Sequence, residues 1–157
     1  MSAYISVYIR AIGGGPYIEL DSWCRSSTFF ELFRTQVNYG QTQPLTAEML
    51  DKVIADASAR IELYKDDIKN SQERIEFLYR LSARSVDTLD AIMERRQDEV
   101  NAIEEVKEQI DSLEHAIATC RVIYSILLNA ETSSEGGDLF ISYEDDPNFS
   151  ANEKENA

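Results

Sequence analysis

The sequence predicts a mainly helical α+β fold. A small N-terminal β-hairpin and a short helix pack on the base of a long antiparallel helical hairpin, coiled-coil-like, and a disordered acidic C-terminal tail follows. Three observations predict it. Isoleucine recurs every seven residues at Ile54, Ile61, Ile68 and Ile75, and again at Ile103, Ile110 and Ile117. Seven residues make almost two helical turns, so each set forms one stripe that needs a partner helix. Residues 3–11 alternate apolar and polar side chains, the period of a strand. The last 27 residues hold eight acids against Lys154 alone. The segments are residues 1–45 (head), 46–130 (helical hairpin, with its turn near 82–87) and 131–157 (flexible tail).

In the head, Ile5, Val7 and Ile9 share one face of a strand, and Tyr4, Ser6, Tyr8 and Arg10 share the other. Gly13, Gly14, Gly15 and Pro16 break the run, which resumes at Tyr17 to Leu20; this pattern is a β-hairpin. A short helix starts near Thr28, with Thr28 capping and Glu31 reaching back from three residues on, and it ends by Gly40. Eight of the fifteen aromatics fall in this head, which predicts dense packing.

Pro44 and Thr46 open the hairpin. With Thr46 as N-cap, Leu45 and Leu50 stand at the positions of a hydrophobic staple. From Leu50 the 4-3 spacing continues through Ile54, Ala57, Ile61, Tyr64, Ile68, Ser71, Ile75 and Leu78 without a slip. The second stripe runs through Ile103, Val106, Ile110, Leu113, Ile117, Cys120, Tyr124 and Leu127. Backwards it extends less regularly through Leu89, Met93, Arg96 and Val100. A continuous rod would be ~125 Å long, and a hairpin would have arms of ~55 Å. The caps offered by Ser82, Ser85, Asp87 and Thr88 favour the hairpin. So does the end of the second helix, where Val122, Ile123, Ile126, Leu127 and Leu128 are apolar on nearly all sides and must be buried. Folding back brings that end to the head; it is also the expected surface for pairing with a second copy.

The net charge of −14 is uneven: the head sums to zero, while residues 46–130 and 131–157 each carry −7. No basic patch is present for direct nucleic-acid binding. An acidic balance fits a soluble protein or a basic partner. Cys24 and Cys120 lack metal-ligand spacing, so free thiols and a cytoplasmic location are expected. The longest apolar stretch, near residues 122–128, is far too short to span a bilayer.

Nothing in the sequence points to catalysis, a metal or a cofactor. His115 lies off the stripe without a converging nucleophile. The Gly13–Gly15 run lacks the lysine and following helix of a phosphate loop. The acidic pairs Glu73/Glu76 and Glu105/Glu108 fall away from the seam, where water solvates them. Three groups remain as candidates. Arg25, Ser26, Ser27, Thr28 and Arg34, with Arg96 on the second stripe, could hold an anion; Arg96 could instead pair with Asp87, Asp90 or Glu94. Leu139, Phe140, Ile141 and Tyr143, set among Asp145 and Asp146, could dock on a partner or add a strand to the chain's own sheet. Val122, Ile123, Ile126 and Leu127 form the apolar base.

The leading expectation is a non-enzymatic, homo-oligomeric interaction protein. It would inhibit or regulate a basic nucleic-acid-handling partner, as mobile genetic elements encode. The alternatives are an oligomer that sequesters a small anion such as a nucleotide, and a structural assembly component.

Overall fold

The computed structural model describes residues 3–11, 14–82, 89–132 and 137–145. In chain order these form β1 (Ala3–Ala11), β2 (Ile18–Cys24), α1 (Thr28–Phe33), β3 (Gln41–Pro44), α2 (Ala47–Ser82), α3 (Leu89–Thr132) and β4 (Gly137–Asp145). The strands build one antiparallel sheet in the order β2-β1-β4-β3, and α2 and α3 form the expected helical hairpin. The expected turn falls on 83–88, outside the described residues. Two compact units result: residues 1–57 with 116–157, and residues 58–115.

The first unit contains the sheet. The alternation in β1 sends Ala3, Ile5 and Val7 into its core, as the period-two pattern requires. The apolar island after residue 137 is the strand beside β1: Ile5, Val7 and Ile9 pair with Tyr143, Ile141 and Leu139. The expectation of a flexible tail over 131–157 is therefore corrected for residues 137–145, because alternate side chains of this segment are apolar and complete the buried sheet face. Asp146 and the rest of the chain lie outside the described residues. Gly137 is the first residue of β4, and a Cβ there would stand 2.5 Å from the carbonyl oxygen of Arg10, so only glycine permits this approach.

The short segment 41–44 pairs with β4 on its other side, with Gln41 opposite Tyr143 and Gln43 opposite Ile141. The pattern gave no sign of this strand. α1 itself ends at Phe33, and Gly40 ends the exit loop that follows it. This glycine has φ of 79° within the turn in which the amide of Gln41 donates to the carbonyl of Asn38 at 3.1 Å, and this turn feeds β3. On the opposite sheet face Ser6 donates or accepts a 2.8 Å bond with Ser22, and both Ser6 and its β4 partner Ser142 are buried. Tyr4 and Tyr8 flank Ser6 on the same strand face.

Helix α1 is only six residues long, yet Phe29, Phe30, Leu32 and Phe33 are all buried. Phe29 stacks on Trp23 with 3.8 Å between centroids and on Phe33 with 4.5 Å, and burial of these rings holds a helix too short to persist alone. Thr46 caps α2 as expected: its Oγ1 accepts from the amide of Met49 at 3.3 Å, and Leu45 and Leu50 are both buried. Val53 and Ala57 of α2, and Ala116, Cys120, Ile123 and Leu127 of α3, complete this core.

The end of α3 is not buried all round. Ile123 and Leu127 are buried, Ile126 is half-buried, and Val122 and Leu128 are 61% and 47% exposed. Val122 lies two residues from Cys120 and therefore on the opposite side of the helix, so one packed face cannot cover both.

The second unit pairs the distal half of α2 with the first part of α3. Ile61, Ile103, Ile110 and Leu113 are buried in its seam, and Ile68, Ile75 and Leu78 are half-buried. The backward extension of the second stripe differs from the expected phase. Glu99, not Val100, faces inward, and the inward positions run through Ile92, Arg96, Glu99 and Ile103 while Leu89, Met93 and Val100 are exposed. A charged side chain takes the seam because α2 supplies its partners. Arg74 Nε donates to Glu99 Oε1 at 2.8 Å, and Arg74 Nη2 donates to Ser71 Oγ at 2.9 Å.

Candidate functional site

Two surfaces are candidate sites, one in each unit. In the first, Arg25 follows β2 and Arg34 follows α1, and both return to one cleft. Among the described residues it is lined by Arg25, Phe30, Glu31, Arg34 and Tyr143 and holds about 360 Å³. Phe30 meets Tyr143 edge to face at 5.2 Å, and Tyr39 meets Tyr143 in the same way at 5.2 Å. The Asp145 carboxylate beside the Tyr39 hydroxyl, and then desolvation, raise the Tyr39 pKa above its ordinary value by penalising the phenolate.

The expected anion site is thus split. Arg25 and Arg34 come together, but Ser26, Ser27 and Thr28 do not line the cleft. Ser26 Oγ lies 3.0 Å from Cys24 Sγ, a bond that lowers the Cys24 pKa. Ser27, not Thr28, is the N-cap, and it makes no side-chain capping bond. That one-residue shift carries Glu31 past the position from which a capping box closes, and it lines the cleft instead. Arg96 belongs to the other unit, where its guanidinium stands 5.2 Å from the Tyr79 ring centroid. Of the expected docking residues, Phe140, Ile141 and Tyr143 are β4 residues paired on both sides, Leu139 pairs with Ile9 and accepts from the Leu45 amide at 2.9 Å, and Asp145 ends the strand. Sequence reasoning missed Glu31, Phe30 and Tyr143 as cleft residues. Phe30, Glu31 and Arg34 are near neighbours on one helical turn, and that spacing was the available signal for two of the three.

In the second unit the exposed face of α3 is acidic. Between positions 98 and 114 stand Asp98, Glu99, Glu104, Glu105, Glu108, Asp111 and Glu114 against Lys107, and all of these acids except Glu99 are exposed. Glu104, Glu108 and Asp111 follow i, i+4, i+7 spacing, which aligns them in one row about 10 Å long. Lys107 lies 3.9 Å from Glu104, an exposed pair worth little.

Five residues before this row begins, Glu99 is buried. Its hydrogen bond from Arg74 holds its carboxyl below the ordinary value of 4.5 against the opposing effect of burial, with help from Ser71 and the nearby Arg95. Sequence reasoning missed this cluster, although Ser71 on an otherwise apolar ladder was its signal.

Both cysteines are free, and burial pushes the Cys120 thiol up to about 12, which leaves it unreactive. Among the described residues no group of three or more histidine, cysteine, aspartate or glutamate side chains is arranged to hold a metal ion. No described helix is long and apolar enough to cross a membrane. No protein-family model matches this chain, and comparison with curated proteins and with solved structures gave no significant match.

Proposed function

We propose that this chain is a non-catalytic interaction protein that presents the acidic face of α3 to a basic protein partner. The observation that carries the reading is the exposed row Glu104, Glu108 and Asp111, flanked by Asp98, Glu105 and Glu114, with Lys107 as the one opposing charge between positions 98 and 114. A surface that reads phosphates also attracts carboxylates held in a row on a rigid helix, so the partner is a nucleic-acid-handling protein that this chain inhibits or regulates. Free thiols suit the cytoplasm, and the role suits a product of a phage-like mobile element.

The test is capture by the immobilised full chain compared with a Glu104→Lys, Glu108→Lys, Asp111→Lys variant. The reading expects a basic protein retained by the wild type, released by duplex DNA or raised salt, and absent with the variant. Retention by both, insensitive to salt, contradicts it.

The exposed Val122 and Leu128, with Leu63 and Phe77 at 66% and 57% exposure, favour self-association as a homodimer or higher oligomer. Light scattering that gave a mass near 17.9 kDa at micromolar concentration would exclude it.

A further inference from the structure

In a chain of net charge −14, two guanidinium groups line one cleft, and among the described residues neither Arg25 nor Arg34 makes an ion pair. Like charges gathered on one cavity repel, and an anion seated between them relieves that repulsion. Guanidinium is planar and offers paired donors that match the oxygens of phosphate. The same cleft holds one carboxylate, Glu31, which only accepts hydrogen bonds when ionised and so selects a hydroxyl or amine beside the anion. Its remaining described lining is aromatic, Phe30 and Tyr143, and the volume of 360 Å³ falls within the range of small-molecule sites.

We propose that this cleft binds a nucleoside monophosphate. The phosphate lies on Arg25 and Arg34, a ribose hydroxyl or base amine donates to Glu31, and the flat base lies against Tyr143. Tyr39 is a positioning residue, because its edge-to-face ring contact orients Tyr143. This binding involves none of the acidic residues of α3, so it stands or falls separately from the interaction reading.

Titration calorimetry of the full chain with adenosine monophosphate, inorganic phosphate and adenosine tests the assignment. Adenosine monophosphate saturates one site per chain and binds more tightly than phosphate, while adenosine alone gives no heat. Arg25→Gln or Arg34→Gln weakens the nucleotide by roughly 10- to 100-fold, the range for a lost hydrogen bond to a charged group. Both side chains are exposed, so the melting temperature holds. Glu31→Gln weakens the nucleotide and leaves phosphate unchanged or tighter. Equal affinity for phosphate and nucleotide, absence of binding, or wild-type affinity in both arginine variants overturns the proposal.

Discussion

The two units are built from the same isoleucine-rich helices yet fix their geometry by different means. In the first, residues far apart in the chain meet across a sheet: β1 and β4 pair over nine positions, and the side chains between sheet and helices are almost wholly apolar. In the second, two helices close in sequence share a seam that a charged cluster interrupts, Arg74 and Ser71 facing Glu99. An apolar heptad ladder tolerates sliding by a turn, whereas a buried carboxylate is satisfied only where its partners stand. Core packing thus sets stability in the first unit, and one ionic cluster sets register in the second.

The largest expected effect comes from emptying the sheet core. Phe33→Ala should cost about 3–5 kcal/mol in urea unfolding, because a fully buried ring leaves a cavity, while Ile103→Ala in the helical seam should cost nearer 2 kcal/mol. Equal losses would erase the distinction between a closed core and a half-open seam. Gly137→Ala should follow at about 1–3 kcal/mol, since the added Cβ meets the backbone of Arg10.

Glu99→Gln should cost about 1–3 kcal/mol, towards the low end because Arg74 is half-exposed and can turn to water. Its pH dependence distinguishes the cause. The folded-state pKa of Glu99 is depressed, so its contribution is full above the unfolded value and disappears as pH falls through the folded value. The gap between wild type and Glu99→Gln should therefore be present at neutral pH and close in acid below the ordinary carboxylate range. A gap that persists there would mean that packing rather than charge is lost. The smallest effect, about 1 kcal/mol, is expected for Thr46→Ala, which removes the α2 cap.

The local patterns proved legible and the distant pairings did not. Alternation located β1, Thr46 marked the start of α2, and the ladders announced a helical hairpin, since each depends on near neighbours. The apolar island at 139–143 was legible as a strand-former, but whether it joined this sheet or another protein depended on β1, whose paired residues lie 130 to 138 positions earlier. Segment 41–44 has no apolar alternation, and backbone bonds to β4 make it a strand. The phase of α3 failed at Val100 because hydrophobicity alone cannot foresee that Arg74 and Ser71 seat Glu99. At the cleft, both arginines were legible as residues, whereas their meeting with Tyr143 required β4 to be in place.

Hydrogen exchange of wild type and Glu99→Gln at neutral pH measures the division of labour most directly. Exchange is expected to quicken across residues 61–82 and 89–110 in the variant, with protection unchanged in β1 and β4. Acceleration spread evenly over sheet and helices, or none in the helices, would contradict it.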